Sequence, residues 1–600
     1  MGIQSFMQKK PSRHLWMQTL SFAATVTFSA AAFAQSDNEL LPESATGRAQ
    51  KEIATAEKFM VAAANPYAAQ AGFEVLKDGG SATDALIAAQ LVLNLVEPQS
   101  SGIGGGGFMI HWDARKKYLT TFDGRETSPL LAPDDSLAAY AARDGQPSRF
   151  SDAAQGGKST GTPSLVQMFE MAHNTYGKLK WSRLFRPAIE LANDGFVVSP
   201  RLATLIERDQ ARLARHPSTR AYLLHEDGSP IKAGEVLRNP EFANSLEIIA
   251  AEGADAFRSG PIVDAIIDAV QNDDPEHRGY LSAEDFLIYE PLEREPVCGG
   301  YRSYKVCGMG PPSSGGLTVI QILGLLEHFD LASMGASSDR ATHVFLEAMR
   351  LAFADREIYI ADPDFGPTPG IGLIDPAYLT ARAQLIDPMR VAESVLPGNP
   401  PWRFPQPLAP DLTLKPPGTT HISVVDGRGN IAAATNTVMA VFGNRVMAGG
   451  FILNNEQTNF SFEPERDGVP IANRIEPGKR PLSAMAPTIV FNSAGQPVMV
   501  IGSPGGQAII AYVALTIIGV LDWGLNIQEA IELPHAALFF GRMAVERGTV
   551  LENLAPALEA MGHNSIRVAD LNSGLHGITI SENGLVGGAD PRREGIALGE

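Results

Sequence analysis

Chemistry could start in this chain at Pro416-Pro417-Gly418-Thr419-Thr420-His421. A threonine hydroxyl is a weak nucleophile by itself. If the chain is cut between Gly418 and Thr419, Thr419 gains a free α-amine, which titrates near neutrality at about 7.7–8.0. That amine can take the proton of its own side-chain hydroxyl, so one residue serves as attacker and base. The inert alternative is a β-hairpin with Thr419 at its edge.

A second group is Gly502-Ser503-Pro504-Gly505-Gly506, between an apolar strand and an apolar helix that begins near Gln507. Amides at such a turn point outward with a helix dipole behind them, which suits a developing oxyanion. By itself the turn also fits a plain strand-to-helix connection. A third is Asp123-Gly124-Arg125-Glu126. An arginine after a strand is ordinarily a surface charge, and its guanidinium fits a carboxylate with two parallel hydrogen bonds. No G-x-S-x-G is present, and Ser503 is followed by Pro504, so a serine hydrolase is disfavoured.

These groups need elements to hold them. From Thr420 to Asp426 polar and apolar residues alternate, which predicts a half-buried strand. Asp426-Gly427-Arg428-Gly429-Asn430 reads as a turn, with Ile431–Thr435 as the returning strand. Strands are predicted at Met485–Phe491 and Pro497–Ile501. Asn65-Pro66 opens a helix that closes at Gly79-Gly80, and Ser81–Val96 is a second. Gly102-Ile103-Gly104-Gly105-Gly106-Gly107 matches GxGxxG by letter. A helix precedes it and a strand, Phe108–Trp112, follows, the reverse of a dinucleotide fingerprint. The glycines instead let backbone pass close beside a site. Lys117–Phe122 returns as a strand, and residues 164–290 are mostly helical by spacing. Ser313-Ser314-Gly315-Gly316 opens a helix through Leu326, and residues 339–362 form another. Residues 394–418 are Pro-rich and extended. Helices near 527–532 and 551–561 and a strand pair around Glu582-Asn583-Gly584 complete the chain. Periodicity alone supports mixed α and β.

The 600 residues are 44% hydrophobic, ample for a large core, and the net charge of −19 argues against nucleic acid or an anionic membrane surface as partner. Residues 1–34 have the pattern of a secretory signal: Lys9, Lys10 and Arg13, an apolar stretch Leu15–Phe33, and Ala32-Phe33-Ala34 before Gln35. The location expected is periplasmic or secreted. No other stretch is apolar for long enough to span a membrane. Cys298 and Cys307 lack nearby histidines for a zinc site, and the Gly299-Gly300 turn could bring them together as a disulfide.

Several blocks, in order, resemble the γ-glutamyltranspeptidases, a family of N-terminal-nucleophile hydrolases. They are VEPQSSGIGGGGFM from Val96, FDGRETSP from Phe122, PPSSGG from Pro311, TTHISVVD from Thr419, LNN from Leu453, GKRPLSAMAPTIV from Gly478 and GSPGG from Gly502. The resemblance runs from about Glu52 to Pro591. It implies an α/β (α+β) fold, a four-layer αββα sandwich made jointly by a large subunit, residues 35–418, and a small one, residues 419–600. It implies self-cutting at Gly418-Thr419, then attack of Thr419 on a γ-glutamyl amide such as glutathione. Gly505 and Gly506 would form the oxyanion hole, Thr437 would hydrogen-bond the nucleophile, and Arg125 would hold the substrate's α-carboxylate. Water or an amino acid or peptide amine would release the acyl group. No metal or organic cofactor is called for.

The pocket departs from the family. A Thr-x-Asn pattern becomes Thr437-Val438-Met439, and a serine pair becomes Ser483-Ala484. The groups expected to receive the α-ammonium are Glu456 and Asn459, the latter in place of Asp. The segment through Glu476, where many members carry a lid, is short. A second reading is therefore an acylase for glutaryl-type groups without the α-amine, because a site lacking hydrogen bonds to a polar group stops selecting for it. A third is a non-catalytic exported binding protein, which the retained Gly418-Thr419 junction, Thr437 and Gly505-Gly506 argue against.

Overall fold

The computed structural model describes residues 48–143, 148–416, 418–539 and 541–600. The signal expected at 1–34 lies outside the described residues. In chain order, two large sheets first use β1 (Ala54–Ala56), β2 (Met60–Ala63), β3 (Gly106–Asp113), β4 (Tyr118–Gly124), β5 (Leu292–Arg294), β6 (Val297–Tyr301) and β7 (Tyr304–Gly308). They continue with β8 (Thr420–Val425), β9 (Ile431–Thr437), β10 (Thr488–Phe491), β11 (Pro497–Gly502), β12 (His576–Ser581), β13 (Gly584–Ala589) and β14 (Ile596–Gly599). The covering helices used below are α1 (Pro66–Lys77), α2 (Ala82–Val96), α3 (Gly315–Leu326), α4 (Asp339–Tyr359) and α5 (Ala508–Leu521).

One sheet runs β14-β2-β8-β9-β3-β4-β5, the other β1-β13-β12-β11-β10-β7-β6. Each combines strands from before and after Gly418, so neither part of the chain supplies either sheet whole. Period-two alternation sorts the layers. Ile422, Val424, Ala432 and Ala434 pack with α1 and α2. Val425, Ile431 and Ala433 face the second sheet, meeting Ile489, Val500 and Ile578. The second sheet's outer face, with Val490, Met499 and Ile501, is covered by α3 and α5. The result is the expected αββα sandwich.

Local signals account for the helix starts. The Asn65 side chain accepts from the Tyr67 amide with Pro66 in the first turn of α1. Ser81 and Asp84 form a capping box at the head of α2. The Asp426 carboxylate accepts from the Arg428 and Asn430 amides and closes the β8–β9 turn.

Three expectations are corrected. Strand β8 is buried throughout, not half-buried. It lies between β2 and β9, with helices on one face and the second sheet on the other. Met485 stays outside β10, which begins at Thr488, because its carbonyl accepts from Ser313 Oγ instead of a neighbouring strand. Cys298 and Cys307 are disulfide-bonded cross-strand partners, but Gly299-Gly300 is not their turn. The reversal is at Arg302-Ser303, between paired Tyr301 and Tyr304. Gly299 lies within β6 and is a glycine for a steric reason: a Cβ there would come within 2.2 Å of Ile320 Cγ2 on α3. Among the described residues, no helix is long and apolar enough to cross a membrane.

Candidate active site

Thr419 stands at the head of β8. Register pairs Thr420 with Asn436, so Thr437 on β9 faces Thr419. The two hydroxyl oxygens are 3.4 Å apart. Thr419 Oγ1 donates to the Gly418 carbonyl at 2.5 Å, and Thr437 Oγ1 donates to the same carbonyl at 2.5 Å. The Met439 amide donates to Thr437 Oγ1 at 2.7 Å, occupying a lone pair and leaving the O–H for Gly418. Gly418 is a glycine for a steric reason: a Cβ there would come within 2.4 Å of the Met439 carbonyl. The glycine run passes close beside this point as expected, for a Cβ on Gly105 would come within 2.1 Å of the Thr437 carbonyl.

The second sheet supplies the opposite side. Strand β11 ends at Gly502, and the turn uses Gly505 at φ +131° and Gly506 at φ +58° before α5. Conformations of this kind favour glycine. Gly506 lines the same cavity as Thr419. Gly505 is not on that lining; its Cα faces the Tyr512 ring, where a Cβ would come within 2.8 Å.

His421, which motif reading passed over, is buried on β8 and packs against Gly502 of the second sheet. Its Nδ1 is 2.8 Å from Thr435 Oγ1 and its Nε2 3.0 Å from Ser423 Oγ. Gly502 leaves room for the ring, since a Cβ there would lie 2.2 Å from His421 Cε1. Burial, and then nearby His576, hold His421 well below its ordinary pKa, so it is neutral. Strand parity was the available signal: 421, 423 and 425 share one face.

The far wall is charged. Arg125 is fully buried rather than at the surface. Its Nη2 is 2.8 Å from Glu456 Oε2 and its Nη1 3.3 Å from Glu126 Oε2. It also donates to the carbonyls of Pro481 at 3.2 Å and Leu482 at 3.1 Å. Burial and then the Glu456 charge push Glu126 well above the usual carboxyl range, against the pull of Arg125. Burial also raises Glu456, against the pull of Arg125. Arg125, Asn459, Met439, Ser483 and Ala484 line the cavity. Glu456 does not; its Oε2 accepts from Arg125 and from Asn459 Nδ2 at 2.6 Å.

Three more residues went unread. Arg356 on α4 and Lys415 both line the cavity. Lys415 pairs with buried Asp411 at 2.5 Å. The cavity encloses about 40 Å³, room for only a few waters. Its walls include Lys415, Pro416 and Gly418 of the uncut chain. Among the described residues, no group of three or more His, Cys, Asp or Glu is placed to hold a metal ion.

Comparison with known proteins follows the same lines. A sequence model of the γ-glutamyltranspeptidase family matches residues 68–600. The chain is 35% identical over 562 residues to the glutathione hydrolase proenzyme of Bacillus subtilis (strain 168), covering 92% of each. It is 33% identical over 553 residues to the acylase ACY 1 proenzyme of Pseudomonas sp. (strain V22), covering 92% of this chain and 94% of that one. The crystal structure of cephalosporin acylase from Bacillus halodurans superposes with a TM-score of 0.80 at 27% identity, covering 93% of this chain and 99% of the other.

Proposed function

The chain belongs to the γ-glutamyltranspeptidase family, and within it we propose a self-cutting γ-glutamyl amide hydrolase or transferase whose nucleophile is Thr419. The observation that carries this reading is the Gly418 carbonyl, held at 2.5 Å by the hydroxyls of both Thr419 and Thr437.

In the first reaction Thr419 Oγ attacks the Gly418 carbonyl carbon. Thr437 stabilises the oxyanion, the C–N bond breaks, and the proton passes to the departing Thr419 nitrogen. Water then hydrolyses the ester, leaving a carboxylate on Gly418 and a free amine on Thr419. Residues 35–418 and 419–600 become the large and small subunits, after removal of the signal at 1–34 from an exported precursor. The walls formed by Lys415, Pro416 and Gly418 then withdraw, because a cavity of about 40 Å³ holds no acyl group.

In the second reaction the amine accepts the Thr419 hydroxyl proton and Oγ attacks the γ-carbonyl of a γ-glutamyl amide such as glutathione; the amide C–N bond then breaks, and the Thr419 ammonium passes that proton to the departing amine. Amides of the Gly505-Gly506 turn stabilise the oxyanion. Water or an amine releases the acyl group, giving hydrolysis or transfer.

A second reading is favoured by one observation. Glu456, expected to receive the α-ammonium, is not on the cavity wall, and its Oε2 is taken by Arg125 and Asn459. Met439 and Ala484 offer no polar replacement. A glutaryl-type donor needs no ammonium site. N-terminal sequencing of the smaller fragment tests the cut, with Thr419 expected first. Kinetics with γ-glutamyl and glutaryl anilides test the donor. A protein that stays one chain and releases no aniline would overturn both readings.

A further inference from the structure

The connection between β11 and α5 carries a polar side chain that the fold itself leaves unused. Gln507 follows Gly506 and stands at the N-cap of α5. It is 5% exposed, and it lines the cavity together with Gly506 and Thr419. Its side chain makes no capping hydrogen bond, although an N-cap is where a side-chain oxygen would accept from the first turn of a helix. Its Oε1 is buried and, among the described residues, has no hydrogen-bond partner. Packing does not call for an amide here either, since Ala508, Ile509 and Ile510 behind it are buried and apolar. A buried amide with no partner is costly, so its place is explained by a partner that arrives from outside the chain.

The surroundings select that partner. Oε1 is enclosed, so the end of the amide left for the cavity is the Nε2 donor. Behind it α5 runs for 14 residues, and its N-terminus carries the positive end of the helix dipole. A donor in that position attracts negative charge and disfavours an ammonium. Gly506 lines the cavity and Gly505 does not, so on this wall the turn presents Gly506 and Gln507 in succession. We propose that Gln507 is a catalytic residue whose Nε2–H donates, alongside the Gly506 amide, to the oxyanion formed when Thr419 Oγ attacks the acyl donor. In that step the Oγ–C bond forms and the carbonyl π pair moves onto oxygen, where the N–H groups hold it; no proton leaves Gln507. The pair returns to the carbonyl when the C–N bond breaks, and the same contact serves again when water or an amine attacks the ester. Gln507 therefore acts on every acyl group the site accepts, with or without an α-amine. This inference rests on the acyl-transfer reading of Thr419.

The test uses processed protein with γ-glutamyl p-nitroanilide and glutaryl p-nitroanilide, rates being normalised to the cut fraction seen on a denaturing gel. Gln507→Ala should lower kcat by roughly 10²-fold for each donor that wild type turns over, the loss expected for one oxyanion donor, with KM nearly unchanged. Gln507→Glu keeps the shape and puts an oxygen where the N–H donor stood, so it should be slowed at least as much. It decides the matter if the Ala variant does not fold. A Glu variant as fast as wild type overturns the inference. So does a loss confined to KM for the γ-glutamyl donor, because the amide would then receive that donor's α-ammonium. Failure of the acyl-transfer reading would look different: wild type would stay uncut and release no nitroaniline from either donor.

Discussion

The two ends of the cavity are built on different principles. The Thr419 end consists of small neutral groups placed by strand register: two hydroxyls, one carbonyl and a glycine turn. The Arg125 end consists of buried charges placed by one another. A substitution at the first removes chemistry and leaves the sheets intact. A substitution at the second strands a charge in the interior, so it costs folding stability before it touches catalysis.

The largest expected effect breaks the first end completely. Thr419→Ala should abolish cutting, and a denaturing gel should show one chain where wild type shows two. Circular dichroism should be unchanged; a melted Thr419→Ala protein would contradict placement by register.

At the other end, Arg125→Met in an uncut Thr419→Ala background should lower unfolding free energy by about 3–5 kcal/mol, measured by urea titration. Removing Glu456 as well, in Arg125→Met/Glu456→Met, should recover most of that loss. If the double variant is no better than the single, charge balance is not what holds this wall.

Thr437→Ala removes one donor from the Gly418 carbonyl. The rate of cutting should fall by roughly 10²-fold, the cost of losing one oxyanion donor, and Thr437→Ser should restore most of it.

Acid is the specific weakness of the neutral interior. Burial pushes His111 and His576 down to about 3, and holds His421 well below 6.5. Their folded pKa values are lowered, so the stability they contribute is present above about 6.5 and lost as pH falls from there. Each contributes a slope of up to about 1.4 kcal/mol per pH unit. His421→Asn should flatten the fall in melting temperature between pH 6.5 and 4.5 by one histidine's share.

The smallest effect concerns Met439, which sits at φ +81°. Asparagine tolerates that conformation better than a long side chain. Met439→Asn should stabilise by about 0.5–1 kcal/mol in urea titration. It should also shift preference toward γ-glutamyl over glutaryl donors. A loss of stability would mean that packing of the Met439 side chain outweighs its backbone strain.

Much of this molecule was legible before any coordinates. Asn65, Ser81 and the Asp426–Asn430 turn act within a few residues of themselves, so their caps and reversals follow from local hydrogen bonding. The order around the GxGxxG letters, α2 before and β3 after, was legible for the same local reason. Short strands such as β1 and β14 were not legible, because their partners lie across the chain: Ala54 pairs with Gly587, and Met60 with Gly599. The half-burial expected for β8 was wrong for the same reason, since alternation reports one covered face and says nothing about a second sheet.

At the site, residue types offered Gly418-Thr419 and Gly505-Gly506 as candidates, because a junction that could free an amine and a glycine turn before a helix are chemical features of a few adjacent residues; the family resemblance chose them over a plain hairpin and a plain turn. Which charges meet was decided only by folding. Arg125 and Glu456 are 331 positions apart, and the sequence cannot say that they pair with each other. Coulomb energy depends on distance and burial, and both are products of the tertiary structure.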